Sequence, residues 1–491
     1  MAPDSATPPN SGDAPKDFER GFRFWVIISG LAITSLLAAL EHTVVTTSAP
    51  RILTELHLGE DFIWITNAFF ICSAVSQPLL GQFCNILGRR WIYLATVALF
   101  TLGSGICGGA TSGSMPIAGR AVQGFGSGGI ILMNNMIVSD LVPLRQRGYY
   151  VAIILAVFGV GTALGPFIGG AIVDSTSWRW VFYLNLPIGG LSLVVMFFFL
   201  HVKYDKEMSF VDKLKRIDYI GNCILMASSV AVLYALTYAG TVHPWSSWRT
   251  LVPFLLGFVG FFLFAAYEAS PFVPERVLPV RLFVHRTSII VLVNIFLSSV
   301  LYFWFLFFLP VYFQSVALYS PSRAGYSLLP QSIAGIPGAA LAAIAISKWG
   351  KFVPVHFVGF AILTLGFGLL SLLSETTSIP EWAVYQIIGA LGIGIVIDTL
   401  LPAFQAPVAE ADQAAATSAW SYLRAFGSIW GVAIPAAIFN NRIDSMLSTI
   451  SDPDARQMLT GGGAYQDASA AVVQHFSPAV QLEIRRYTEK H

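Results

Sequence analysis

Four ionisable side chains, Glu41, Arg120, Asp398 and Arg424, each interrupt a run of apolar residues long enough to cross a lipid bilayer. A charge at the bilayer centre costs about 2.5 to 3.5 kcal/mol even on the lenient insertion scale, so each one kept there needs a partner or a task. The set is two acids and two bases, with Glu41 and Arg120 in the first half of the chain and Asp398 and Arg424 in the second. A carboxyl held in a low dielectric near an arginine can load and release a proton as its surroundings alternate, which is proton-coupling chemistry. A static ion pair that packs helices together is the competing reading. His42 and the hydroxyls of "HTVVTTSAP" continue a polar strip after Glu41, and His42 alone is expected to make a structural hydrogen bond. Asp398 and Arg424 sit nearer the ends of their apolar runs, where long side chains reach the interface more easily. A structural pair or a gate suits these two as well as direct coupling does.

Other chemistry finds little support. Arg120 opens "RAVQGFGSGG", whose Gly124, Gly126 and Gly129 match a dinucleotide-binding GxGxxG. No strand precedes it and no βαβ unit surrounds it, so the glycines are read as sites of close helix approach. GxSxG, HExxH and phosphate-loop motifs are absent, which leaves no basis for an enzyme or a nucleotide-driven pump. Cys72, Cys84, Cys107 and Cys223 show neither CxxC nor metal spacing and read as small core residues. A net charge of +1 gives no basic field for nucleic acid. No cofactor or metal is expected, and the energy source should be an ion gradient.

The elements that position these residues follow from composition. The chain of 491 residues is 55% hydrophobic and only 11% charged, with a mean hydropathy of +0.68. It therefore reads as an all-α integral membrane protein, since soluble domains carry about 25% charged residues. Hydropathy gives thirteen stretches of at least about 20 residues, and none of the short alternating runs of a β-barrel. Lys and Arg are biased about four to one towards one set of loops, which places the N-terminus in the cytoplasm. The expected organisation is a disordered cytosolic tail over 1–21, a six-helix bundle over 22–200, a cytosolic linker with two inserted spans over 201–286, a second bundle over 287–439, and a polar extracytoplasmic tail over 440–491. The loops "NILGRRW" and "SKWGKF", each with a Gly beside cations, mark the second bundle as a repeat of the first. By that repeat the second bundle is one span short.

The fifth span holds "GVGTALGPFIGG", residues 159–170. Gly161, Gly165 and Gly169 recur on one helix face with Gly170 beside them, a smooth ridge for close packing, and Pro166 removes a backbone hydrogen bond and bends the helix. The ridge suits either static packing or a rocking interface. Together with "LEHTVVTTSAPRI", "RAVQGFGSGG", "GQFCNILGRRW", "WRWVFYLNLPIGG" and "YFQSVALYSPSRAGYSLLP", it resembles the major facilitator superfamily. The likeness is to the fourteen-span drug:proton antiporter branch, and most of all to its fungal efflux pumps for toxins and other secondary metabolites.

The resemblance covers roughly residues 22 to 440 and implies a major facilitator fold. In its span-one motif Glu41 stands where many members have Asp, and its span-four motif implies that Arg120 serves proton transfer. It also implies that the ridge marks an exporter, and that Gly81, Asn85, Gly88, Arg89 and Arg90 form a cytoplasmic gate loop. The chain departs from the pattern at Asn85, where the family usually has an acid, and at the span expected after residue 439. The expected activity is proton-coupled export of hydrophobic or amphipathic small molecules by a monomer in the plasma membrane, with vacuolar or vesicle membranes as the alternative site. Its partners are then the small-molecule substrate, protons and the lipid bilayer. A siderophore or basic amino acid carrier and an inactive membrane protein are the competing readings.

Overall fold

The structure, a computed structural model, describes residues 21–56, 63–201, 209–240, 243–273, 275–447, 450, 452–459, 476–477 and 480–481. The described residues form helices and no strand. The first bundle comprises α1 (Phe22–Leu56), α2 (Ile63–Leu87), α3 (Arg89–Gly108), α4 (Ser114–Leu141), α5 (Leu144–Ser175), α6 (Arg179–Tyr183) and α7 (Asn185–Phe199). A short α8 (Phe210–Lys215) leads into the inserted pair, α9 (Tyr219–Tyr238) and α10 (Trp248–Ala269). The second bundle runs through α11 (Arg286–Val311), α12 (Pro321–Ser327), α13 (Leu329–Trp349), α14 (Val353–Leu370), α15 (Ile379–Gln405) and α16 (Gln413–Met446), followed by α17 (Pro453–Leu459).

Among the described residues, twelve stretches have the length and apolarity to cross a membrane. The remaining expected span, 115–139, is α4, whose composition is diluted by Arg120, Gln123, Asn134, Asn135 and its glycines. Its tolerance of these residues has a positional cause. α4 packs against both α2 and α3, so its polar side chains face protein instead of lipid. A Cβ at Gly124 would lie 2.3 Å from Phe69 O of α2, and one at Gly126 would lie 2.4 Å from Phe100 N of α3. The glycines of the GxGxxG match therefore bring three backbones together.

The two bundles repeat each other in contact pattern. α1 packs on α5 as α11 packs on α16, and α3 packs on α4 as α14 packs on α15. The matched loops share a backbone device. Gly88 (φ 90°) stands between α2 and α3, and Gly350 (φ 64°) ends α13. In each, the glycine N–H closes on a carbonyl four residues back, Cys84 O at 3.1 Å and Ile346 O at 2.7 Å. A side chain at these angles would strain the backbone. Both loops lie at the end of the molecule that carries Arg89, Arg90 and Arg147, called here the basic end.

The bundles meet along α2 with α16 and α5 with α13. α9 lies over the first of these seams, where Ile71 and Val75 of α2, Leu225 and Val232 of α9, and Tyr422 and Phe426 of α16 form one apolar cluster. α10 covers α9 on the outer side, and a Cβ at Gly257 would lie 2.5 Å from Val232 Cγ2. Glu268 near the end of α10 is only 2% exposed and accepts the Val277 N–H at 2.9 Å. It thereby fixes the connector that leads to α11. Of the expected polar tail, α17 packs through Ala455 and Leu459 with Phe439 and Ile443 of α16, at the end remote from the basic loops. The tail over 1–20 and residues 460–475 and 482–491 lie outside the described residues.

Candidate transport site

Glu41 and Arg120 meet inside the first bundle. Each side chain is 1% exposed, and Arg120 Nη1 lies 2.5 Å from Glu41 Oε1. The second carboxylate oxygen accepts from Asn185 Nδ2 of α7 at 2.6 Å. The guanidinium has further acceptors, for Nε donates to Ile65 O at 2.9 Å and Nη1 also donates to Gln123 Oε1 at 2.7 Å. Its Cζ sits 4.1 Å from the centroid of the Phe69 ring. Gln123 in turn donates to Ser104 Oγ at 2.7 Å, which also receives Asn185 Nδ2 at 3.2 Å. α1, α2, α3, α4 and α7 all contribute to it. A buried carboxylate without such partners would be prohibitively unfavourable.

This arrangement has an asymmetry with chemical consequences. If Glu41 took up a proton, its attraction for Arg120 would fall, yet the guanidinium would keep a carbonyl, an amide oxygen and a ring face. The site can therefore hold the cation in both protonation states of the acid.

His42 departs from expectation. Its ring stands edge-on to Phe69, Phe70 and Phe158, with centroids 5.0, 5.1 and 5.6 Å away, and its buried Nε2 has no hydrogen-bond partner. It lines a cavity of about 60 Å³ between the bundles, to which α16 contributes Trp420, Ser421 and Arg424. A second cavity of about 90 Å³ lies between α5 and α11, α13 and α15. Leu155, Phe158 and Arg424 line both, so the two adjoin, and they are called here the lobes of a central cleft. Arg424 Cζ lies 5.4 Å from the Trp420 ring, and its carbonyl accepts Ser299 Oγ at 2.6 Å. The structure thus places Arg424 on the central cleft. The side chain of Asp398 lies outside the described residues.

The glycine ridge faces α1 of its own bundle. A Cβ at Gly161 would lie 2.8 Å from Ala39 Cβ, and one at Gly165 would lie 2.0 Å from Thr43 Oγ1. That approach lets Thr43 Oγ1 donate to Thr162 O at 3.0 Å. Gly169 is buried, whereas Gly170 has nothing near its Cβ position. At Gly161 and Gly165 the ridge is thus an internal seam of the first bundle. α5 is continuous over Leu144–Ser175, and the Pro166 side chain lies outside the described residues.

The gate-loop residues divide by role. Gly81 lets α2 meet α16 across the bundle boundary, with its Cβ position 2.3 Å from Ser418 Oγ, and Ser418 Oγ donates to Gln77 O at 3.2 Å. Arg89 pairs with Asp140 at the end of α4 at 2.9 Å, while Asn85 is exposed. The acid that balances Arg89 is therefore on another helix. Arg90 donates to Phe197 O at 2.5 Å and lies against the rings of Trp91 and Phe197.

Sequence reasoning missed a second set at the basic end. Arg147 Nη1 of α5 donates to Gln405 Oε1 at 3.0 Å and to Gln413 Oε1 at 3.2 Å, and Gln405 Nε2 donates to Ser139 Oγ at 3.2 Å. These bonds join the bundles and close the cleft on that side. The signal available was the polar cluster "FQAPVAEADQ", which a scan for charges inside spans passes over.

A two-bundle helical membrane carrier with a central cleft is the class that this geometry defines. The profile of the Major Facilitator Superfamily matches residues 31–432, and the chain belongs to that family. It is similar to the "MFS-type transporter TwmF" of Talaromyces wortmannii, 58% identical over 483 residues, which covers 98% of this chain and 88% of that one. It is also similar to the "MFS-type efflux pump LUC4" of a Fusarium species, 43% identical over 482 residues, covering 97% and 86%. Among solved structures, the human organic anion transporter MFSD10 superposes with a TM-score of 0.58 at 16% identity, covering 96% of this chain and 100% of that one. The xylose symporter XylE superposes with 0.58 at 13%, covering 92% and 96%; both likenesses concern the fold. The chain is a transporter and not an enzyme.

Proposed function

We propose that this transporter is a proton-coupled antiporter that exports hydrophobic or amphipathic small molecules by alternating access. The observation that carries the reading is the fully buried Glu41–Arg120 pair with its spare acceptors. In the described state the basic end is latched, and by the distribution of Lys and Arg that end is cytoplasmic. The cleft then releases its cargo on the far side, where a proton reaches Glu41 and weakens the pair. The change favours unlatching, and the proton leaves to the cytoplasm before substrate binds again. Each cycle moves one charge-neutralising proton inward against substrate outward, with Arg120 held throughout by Ile65 O and Gln123.

The names of the relatives support export as the direction. A carrier of basic substrates would need acids on the cleft. Among the described residues that line the two lobes no carboxylate occurs, which favours a neutral or acidic cargo. We place the protein in the plasma membrane as a monomer with its N-terminus in the cytoplasm. The test is efflux of a panel of hydrophobic compounds from pump-deficient yeast expressing the chain, with and without a protonophore. Export that collapses with the gradient is the expected result. Export that persists without it would remove proton coupling, and a protein at the cell surface that exports nothing would favour an inactive carrier.

A further inference from the structure

The connector from the inserted pair to α11 crosses the bundle boundary at the basic end. Its anchor on the first bundle is Gln82, in the last two turns of α2, which is buried and donates through Nε2 to Glu275 O at 2.8 Å. The same side chain accepts from the start of α9, from Asn222 Nδ2 at 2.7 Å and from the Asp218 N–H at 3.2 Å. On the second bundle, Arg281 grips both carboxylate oxygens of Asp412, with Nε and Nη2 each at 2.5 Å. Leu282 follows, buried in the core that α11 forms with α15 and α16. Asp412 directly precedes Gln413, the residue that accepts from Arg147.

Between these anchors the segment 275–281 is cross-tied to the inserted pair. Glu268 of α10 holds the Val277 N–H, Arg216 Nε pairs with Glu275 Oε2 at 2.6 Å, and Tyr267 of α10 donates to Asp218 Oδ1 at 3.2 Å. Pro279 fixes one φ within it. The unit is fastened to both bundles, whereas α2 and α16 must part at the basic end when the cleft opens there, so one fastening has to yield. The second-bundle end runs through the buried Leu282 into α11 without a break. The first-bundle end depends on the neutral hydrogen bonds of one side chain, each contributing about 0.5 to 1.5 kcal/mol, and is the one that lets go. We propose that segment 275–281 is a strap across the bundle boundary with Gln82 as its releasable anchor, through which the inserted pair restrains opening at the basic end. Gln82 is then a positioning residue, acting on the balance of states without touching substrate. The inference rests on the alternating-access reading and gives α9 and α10 a task within it.

The test reads the state of the full chain in inside-out vesicles, without gradient or substrate, as the labelling rate of Ser418→Cys by a membrane-impermeant maleimide in a Cys223→Ser background. Gln82→Met keeps the bulk of the side chain and removes the anchor, and labelling should rise about threefold to tenfold. Inserting Gly-Ser-Gly-Ser between Leu278 and Pro279 slackens the strap while Gln82 stays in place, and should give a similar rise. The two changes together should give no more than the larger of them, because a strap is released once. Labelling unchanged by Gln82→Met or by the insertion, or effects that multiply in the combination, overturns the strap. Unfolding temperature in detergent is followed in parallel, since a purely structural role for Gln82 would lower it and leave labelling where it was. Arg147→Ala separates the strap from the reading beneath it. A rise with that variant alone leaves alternating opening standing and removes the strap, and no rise with any variant removes both.

Discussion

Arg147 of α5 and Gln405 of α15, 258 residues apart in sequence, share a hydrogen bond of 3.0 Å across the boundary between the two bundles. Gln413 accepts from the same nitrogen and returns a bond from its own amide to Gln405 O at 2.9 Å. The latch is mutual, because Gln405 also reaches Ser139 of α4.

Opening the cleft at the basic end must break this set. A hydrogen bond to a charged group contributes about 1.5 to 3 kcal/mol, so Arg147→Ala should shift the balance of states towards that opening about tenfold or more. With Cys223 replaced by serine, labelling of Ser418→Cys by a membrane-impermeant maleimide in inside-out vesicles should rise accordingly. Unchanged labelling would mean that α2 and α16 hold the closure by themselves.

Glu41→Gln keeps the shape of the side chain and an acceptor for Arg120 but cannot carry a proton. The variant should reach the membrane and lose gradient-driven export. Glu41→Ala should in addition lose about 3 to 5 kcal/mol of stability, the usual result of stripping one partner from a buried pair. Efflux and unfolding temperature in detergent separate the two effects, and normal export by Glu41→Gln would exclude this carboxyl as the proton carrier.

Gly165→Ala would drive a methyl into Thr43 Oγ1, 2.0 Å away, whereas Gly170→Ala meets nothing within 4 Å. The first should destabilise by about 1 to 3 kcal/mol and the second should be silent. Thr43→Ala should restore part of the loss, a coupling that a double-mutant cycle in unfolding experiments measures directly.

At the end remote from the latch, Glu55 accepts from Arg179 Nη1 and from Trp178 Nε1 at 2.9 Å. The hydrogen bond from Arg179 holds its carboxyl below the usual range. A depressed folded value means stability that is present above the ordinary carboxylate range and lost as the pH falls through the folded value. With the Glu55 side chain 42% exposed, the contribution is screened to at most about 1 kcal/mol. Unfolding temperature followed as the pH is lowered should show this loss in the parent chain and not in Glu55→Gln.

Hydropathy and charge cost are properties of a short stretch of chain, so the helices, the repeat marked by Gly88 and Gly350, and the intramembrane Glu41 and Arg120 could be read from the sequence. Partners are another matter. That Arg89 is balanced by Asp140, that Gly161 and Gly165 face α1, that His42 lines a cleft with no bond to its Nε2, and that Arg147 closes on Gln405 all depend on which helix faces stand opposite one another. Composition constrains a helix to the membrane without fixing its rotation or its neighbour. Only packing in three dimensions sets those, through backbone approach at glycines and the satisfaction of buried polar groups.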